Sequence, residues 1–349
     1  MDAASLTSRR YDVGTLEEAI ELCYERGWTD GLPVVPPTEE RVLHFLEVAG
    51  KAPADVIGVV PTRGRVVTAE KVAINAVMAG CRPEYMPVVV AAVEAMCEEP
   101  FNPHGSMAST GGAAVLMVVN GPVRQKLGFN SQGNLFGPGP AFRANATVGR
   151  AVRLVLLNVW GNVPGVLDRS TFGHPGKYAY CVAEDEEHSP WEPLHVERGF
   201  KAEESTVTCV AAMAPWQVSN RRGDTPESVL GSIADTMKGG SPGAGEIWAV
   251  VGGEHRIPIQ EAGWSKERCR QHIAAKAVRP WREWAEAGKA EDPPPGREND
   301  PLPVLRPDGR IVLLAAGGHA GAWSVVIPLW ANGANIRSVT KRIDTRRIT

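Results

Sequence analysis

Residues 311–324 read Ile311-Val-Leu-Leu-Ala-Ala-Gly-Gly-His-Ala-Gly-Ala-Trp-Ser324. An apolar run of this length closed by two glycines has the pattern of a buried strand, and the residues from Trp323 to Trp330 then read as the opening of a helix. Backbone amides at a strand-to-helix turn converge on the crevice where open α/β sheets hold their ligands. His319, the one titratable group in the turn, is therefore a candidate catalyst.

Working outward from this stretch, residues 247–251 form a second apolar run that also ends in glycines and a histidine, Gly252-Gly-Glu-His255. A strand at 206–213, a helix opened by Thr225-Pro-Glu227 and a helix over 265–276 complete an alternation of strands and helices. Such alternation predicts a mostly parallel sheet with flanking helices, a Rossmann-like second lobe covering residues 201–349. Residues 288–308 read as a surface loop, with a short helix around Trp281 and Trp284 before it. The preceding 1–200 read as an N-terminal α/β lobe. Thr15 N-caps a helix reaching Trp28, three prolines hold 30–38 as an extended arm, and Thr38 caps a second helix. A strand at 56–60, helices at 68–79 and 83–98 and an apolar strand at 113–120 follow. The Gly-rich loop 128–140 then leads into a helix at about 142–160. The fold class is thus α/β with two lobes and a site in the cleft between them; no internal repeat is evident.

Composition narrows the function. In 349 residues, 37 basic and 40 acidic side chains are well mixed and the net charge is only −3, so nothing singles out nucleic acid or an anionic membrane as partner. There is no run of eighteen apolar residues and no apolar core in the first ten, which predicts a cytoplasmic protein acting on a small molecule. Six scattered cysteines form no C-x-x-C pair, arguing against a disulfide framework or a cysteine metal site. Ten tryptophans against five tyrosines favour packing or a homo-oligomer contact over a ligand cage. No phosphate loop or dinucleotide fingerprint is present, so no nucleotide cofactor is expected.

Three groups of residues could carry chemistry. His319 and His255 each follow a glycine-ended strand; facing one cleft, they could act as acid and base, or with Glu254 hold a divalent metal. Each imidazole could equally cap a backbone group. His195 and Glu197, in a segment preceded by Glu184-Asp-Glu-Glu-His188, would share one face of an extended strand and are the alternative metal ligands, with Arg198 able to clamp a carboxylate. The same segment could instead be an interlobe strap. Asn130, Ser131, Gln132 and Asn134 of the Gly-rich loop, with Arg143 and Asn145 just beyond, suit a carboxylate or polar ring. His104 lies in Asn102-Pro-His-Gly-Ser-Met-Ala-Ser109, which lacks the nucleophile elbow of a serine hydrolase and reads as a substrate or dimer loop.

Four segments, Trp28-Thr-Asp-Gly-Leu-Pro-Val-Val-Pro-Pro-Thr38, Ala73-Ile-Asn-Ala-Val-Met-Ala-Gly-Cys-Arg-Pro-Glu-Tyr85, Phe142-Arg-Ala-Asn-Ala-Thr-Val-Gly-Arg150 and Trp191-Glu-Pro-Leu-His-Val-Glu-Arg-Gly-Phe200, resemble a bacterial family related to the UGSC-type (seleno)proteins. The likeness covers most of the first 200 residues and extends through Gly253-Glu-His255 and Gly263-Trp-Ser-Lys266. It implies a two-lobed α/β enzyme with thiol or selenol redox chemistry at a Sec/Cys-Gly-Ser-Cys tetrad beyond a strand end. That tetrad is absent, and no cysteine follows Cys269. If the final glycine turn is the matching place, His319 stands where the redox pair would be.

The expectation is a lyase or hydrolase using His319 and His255 in acid and base roles. Its alternatives are a divalent-metal enzyme with His and Glu ligands, and a degenerate redox-family subunit that binds a partner without catalysis.

Overall fold

A computed structural model describes residues 5–331, 333 and 335–348 of the chain. The helices are α1 Leu16–Glu25, α2 Glu39–Ala49, α3 Ala69–Met78, α4 Met86–Met96, α5 Pro103–Ala108, α6 Val123–Leu127, α7 Arg143–Asn158, α8 Leu194–Glu197, α9 Pro226–Met237, α10 Gly253–Glu261, α11 Lys266–Lys276 and α12 Trp281–Glu286. The strands are β1 Val56–Val60, β2 Arg65–Thr68, β3 Ala114–Asn120, β4 Cys181–Ala183, β5 Thr206–Ala212, β6 Trp216–Ser219, β7 Ala244–Val251, β8 Val278–Pro280, β9 Pro301–Pro303, β10 Leu305–Ala315, β11 Trp323–Pro328 and β12 Val339–Arg342. The helix starts read from Thr15, Thr38 and Thr225 are in place: Thr15 and Glu18 form a capping box, and Thr38 and Thr225 each accept a hydrogen bond from their helix's first turn, as Ser265 also does for α11.

The chain is α/β, built on two four-stranded sheets. Sheet I has the order β12-β5-β3-β4 and sheet II the order β10-β7-β11-β6. Period-two alternation assigns every central strand two apolar faces. Val115, Met117 and Val119 of β3 pack outward with α2, α3, α4 and α7, whereas Leu116 and Val118 face inward. In β7, Ile247, Ala249 and Val251 pack outward with α9, α11 and α12, whereas Trp248 and Val250 face inward. The inward sets form one apolar layer between the sheets, so the architecture is helix, sheet, sheet, helix.

The structure departs from the sequence-based expectations in several places. The 201–349 segment does not own its sheet, because β5 and β12 both belong to sheet I. Sheet II is mixed instead of mostly parallel: β7·β10 is parallel, while β7·β11 and β11·β6 are antiparallel. The residues after His319 form β11, not a helix, and the supposed loop at 288–308 contains β9 and the start of β10. The mixed sheet and β11 share a physical reason: β-branched Val325, Val326 and Ile327 suit a sheet interior better than a short helix, and antiparallel pairing with β7 supplies it. Within 288–308, β9 pairs with β8 and Leu305 with Ala244 of β7. Residues of both halves pack together in the inter-sheet layer.

The chain has no sequence repeat, yet its topology repeats. In sheet I the central β3 is followed by a parallel neighbour, β4, and an antiparallel one, β5. In sheet II the central β7 is followed by a parallel neighbour, β10, and an antiparallel one, β11. The next strand of each series changes sheet: β6 pairs with β11, and β12 pairs with β5. Each series needs its chain to cross the end of the central strand, and a glycine stands at each crossing. A Cβ on Gly121 would lie 2.2 Å from the Glu204 carbonyl oxygen, and one on Gly252 would lie 2.1 Å from that of Trp323. These contacts are with backbone, which cannot swing aside.

Candidate functional site

The carboxyl ends of β4 and β10 meet where the Asp185 amide donates to the Ala315 carbonyl at 2.7 Å. The turn from 316 to 322 then passes over the end of β7. The Gly253 amide donates to Gly318 O at 2.9 Å, and a Cβ on Gly253 would touch the His319 Cα at 2.7 Å. Gly317, at φ +96, donates its amide to Ser131 O at 2.9 Å, tying the Gly-rich loop to the same place. Three strand ends, the start of α10 and that loop thus converge on the opening stretch of the sequence.

Asp185 is the centre of this junction and is fully buried. His188 Nδ1 lies 2.8 Å from its Oδ1, His319 Nε2 lies 3.7 Å from its Oδ2, and Arg256 Nη2 donates to Oδ2 at 2.7 Å. The two imidazoles meet edge to face with ring centres 4.7 Å apart. Their side chains are 53% and 47% exposed, so solvent and solutes reach both rings while their carboxylate is sheltered. Burial pushes the Asp185 carboxyl up, but hydrogen bonds from His188 and Arg256 and the Arg256 charge together outweigh it and hold it below its ordinary value. Asp185 is therefore ionised at neutral pH. A ligand atom from each of Asp185, His188 and His319 can be chosen so that all three lie within 4.8 Å of one another, which makes the group a candidate metal set.

His255 is buried elsewhere. Its Nε2 donates to the Asn220 carbonyl at 3.2 Å, and its Nδ1 lies 2.8 Å from the Ser324 hydroxyl. Both ring nitrogens are engaged, and burial lowers its basicity despite the Asn220 hydrogen bond and the Glu254 charge. The ring facing His319 is that of His188, while Glu254 is exposed in the first turn of α10. His195 and Glu197 sit on the short helix α8 instead of an extended strand, and residues two apart on a helix do not share a face. His195 is buried with Nδ1 3.9 Å from Glu186, whereas Glu197 pairs with Lys266 at 2.7 Å and with Arg270, so they form no common metal site. Arg198 donates to the Thr340 hydroxyl at 2.9 Å and to Ser338, anchoring β12.

The residues proposed for substrate binding are mostly structural. Arg143 donates through Nε and Nη2 to the Gly80 carbonyl beyond α3. Asn145 is buried and ties both the amide and the carbonyl of Asn130 to the Cys181 carbonyl. Asn130 turns the loop by accepting from the Gln132 amide, Ser131 is buried, and Asn134 adopts φ +55. His104 is exposed, and its Nδ1 is engaged by Arg63. The motifs at 28–38 and 142–150 also interlock structurally, through a bidentate Arg150 to Asp30 pair. A groove of about 760 Å³ between β6, α9 and α11, lined by Ser219, Ser228, Ser232, Asp235 and His272, contains none of the clustered residues.

No protein-family model, curated protein or solved structure matches this chain. The cluster therefore has to be read from its own chemistry. No described helix is long and apolar enough to cross a membrane. All six cysteines are free and all but Cys97 are buried, and burial pushes Cys81 and Cys97 up to about 12 and Cys269 up to about 11, which disfavours their thiolates.

Sequence pattern alone does not single out Asp185, His188 or Arg256, since Glu184 to His188 reads as the acidic lead-in to His195. The usable signal was an aspartate two residues beyond the apolar Tyr180-Cys-Val-Ala183, followed three residues later by a histidine. Two arginines clamp this acidic segment, one from each topological series. Arg256 holds Asp185, while Arg124 donates to Glu187 and to the Glu184 carbonyl and pairs with Glu186 at 2.9 Å.

Glu184 gives a testable pH dependence. It is fully buried, and burial pushes its carboxyl from 4.5 up to about 7, although the Lys266 charge and hydrogen bonds from the Leu194 amide and Asn120 oppose this. The folded state thus holds a proton that the unfolded chain releases. The stabilisation is complete below the unfolded value and is lost as pH rises through about 7. Two and a half units correspond to roughly 3 kcal/mol. Glu184→Gln is expected to flatten this dependence and to raise stability at pH 8 relative to wild type by roughly 1–3 kcal/mol. Urea midpoints at pH 5 and pH 8 measure it, and equal pH dependence in the two proteins would refute the assignment.

Proposed function

We propose that this protein is a small-molecule enzyme of the lyase or hydrolase type in which His188 and His319, organised by Asp185, supply base and acid. The observation that carries the reading is the buried, ionised Asp185 between two half-exposed imidazoles. A carboxylate only accepts, so the 2.8 Å contact requires the proton on His188 Nδ1, and in the neutral ring the lone pair is then on Nε2. His188 is then the base that removes a proton from water or from a substrate carbon. His319, with Nε2 3.7 Å from the same carboxylate, is placed to return a proton to the leaving group. His319 keeps the catalytic role its glycine turn suggested, with His188 as partner in place of His255. The free cysteines fit a cytoplasmic setting, and we extend the reading to a homo-oligomer on the strength of the tryptophan content.

The mutual 4.8 Å spacing of the ligand atoms favours one second reading, a divalent metal held by Asp185, His188 and His319. Binding would replace the His188 to Asp185 hydrogen bond and leave Arg256 on the other carboxylate oxygen. The two readings separate on chelation, once a panel of small esters, amides and hydroxy acids has yielded a turned-over substrate. Activity retained after dialysis against EDTA is the expected result. Loss on chelation with recovery on adding zinc, together with one metal per chain by elemental analysis, would replace acid and base catalysis by the metal reading. A panel turned over equally well by wild type and by His188→Ala/His319→Ala protein would remove both.

A further inference from the structure

Arg256 is 2% exposed, yet its guanidinium is only partly used. Nη2 donates to Asp185, while Nε and Nη1 meet no acceptor among the described residues. Unmade hydrogen bonds of a buried charged group cost on the order of a few kcal/mol, and folded proteins rarely leave them without a reason. Its counterpart in the other topological series makes the contrast plain. Arg124 also follows the glycine at the end of a central strand, but its Nη1 and Nη2 are hydrogen-bonded and its Nε lies 2.9 Å from Glu186. Arg124 thus faces two carboxylates of its own chain, Glu186 and Glu187. Arg256 faces one, Asp185, through Nη2 alone.

A second observation falls at the same place. Arg256 lies in the second turn of α10, a nine-residue helix whose N-cap, Gly252, offers no side chain to the first-turn amides. The Gly253 amide is taken by Gly318, in the turn that carries His319. The uncapped start of a helix attracts negative charge through its dipole and its outward N–H groups. Guanidinium and helix start thus offer the same kind of partner, an oxyanion, next to the two imidazoles.

We propose that Arg256 and the first turn of α10 bind an oxyanion of the substrate, a carboxylate or a phosphate, and so place the adjoining bond beside His188 and His319. This inference rests on the acid and base reading for its catalytic meaning, though the anion site itself does not. The substrate is accordingly an anionic small molecule. Asp185 has a second task in this arrangement, holding Arg256 by one oxygen and His188 by the other.

Protection from diethyl pyrocarbonate, read per histidine by mass spectrometry, tests the site without a known substrate. Inorganic phosphate and succinate are the probes, with chloride at equal ionic strength as control and the exposed His44 as internal reference. At an anion concentration about four times its dissociation constant, carbethoxylation of His188 and His319 is expected to slow by about fivefold, with His44 unchanged. Whichever probe protects identifies the group as phosphoryl or carboxylate. The protection is expected to vanish in Arg256→Lys, which keeps the charge and loses the fork. It should also vanish in Asp185→Asn/Arg256→Gln, which removes both charges so that neither is left buried alone. No protection of the wild type by either anion overturns the proposal, as does full protection surviving in either folded variant. Either result leaves the imidazole pair standing if His188→Ala and His319→Ala abolish turnover, so the two ideas fail separately.

Discussion

Replacing His319 or His188 by alanine is expected to lower kcat by about 10²- to 10⁴-fold, the usual contribution of a placed general acid or base. In the proposed mechanism the two rings share Asp185 and act in one proton cycle, so their effects are expected to be far from additive. The double variant should fall little below the worse single one. Asp185→Asn should cost a comparable factor, since an amide can donate to His188 Nδ1 and stabilise the tautomer with its proton on Nε2. His255→Ala provides the contrast. Its ring bonds Asn220 and Ser324, so the expected loss is about 1–3 kcal/mol of stability with a much smaller kinetic effect. Steady-state kinetics on folded variants, checked by circular dichroism, decide the matter. A His255→Ala defect as deep as that of His319→Ala would return His255 to the chemistry.

The largest stability effect is expected at Trp248. Its ring is fully buried in the layer between the sheets, and its Nε1 donates to Glu246 Oε1 at 2.8 Å. Trp248→Ala should destabilise by about 3–5 kcal/mol, from the emptied volume where both sheets lose a packing partner. Glu246, itself buried, would also lose a donor, keeping only Arg310 and the Ser338 amide. Trp248→Phe preserves most of the volume and should cost roughly half as much. Urea denaturation monitored by far-ultraviolet circular dichroism measures both. A loss under about 1 kcal/mol for the alanine variant would mean that the inter-sheet layer is not a stabilising core.

The helices and the central strands were legible in the sequence because caps and apolar runs are local signals. Thr15, Thr38, Thr225 and Ser265 mark their helix starts, and 113–120 and 247–251 are buried on both faces as their unbroken apolarity implies. Pairing was not legible. Whether Trp323–Pro328 coils or extends depends on the open edge of β7, more than seventy residues earlier, and no local pattern records that edge. The short strands β6 and β12 escaped for the same reason. At the site, the glycine turn singled out His319 correctly as a group at a strand end. Its ring partner could not be read, because His188 and His255 each follow a strand and only the packing turns one toward Asp185 and the other toward Ser324. Arg143, Asn145 and Arg198 looked like ligand-binding groups because the same donors that hold anions also hold backbone carbonyls and hydroxyls.

The exchange of β6 and β12 between the sheets bears on how the chain is made. Sheet I lacks its outer strand until residues 339–342 leave the ribosome, so β5 waits with an unpaired edge through the synthesis of more than a hundred residues. An edge left open that long invites pairing with another nascent chain. Truncations short of β12 should therefore behave as aggregation-prone polypeptides and not as smaller folded proteins.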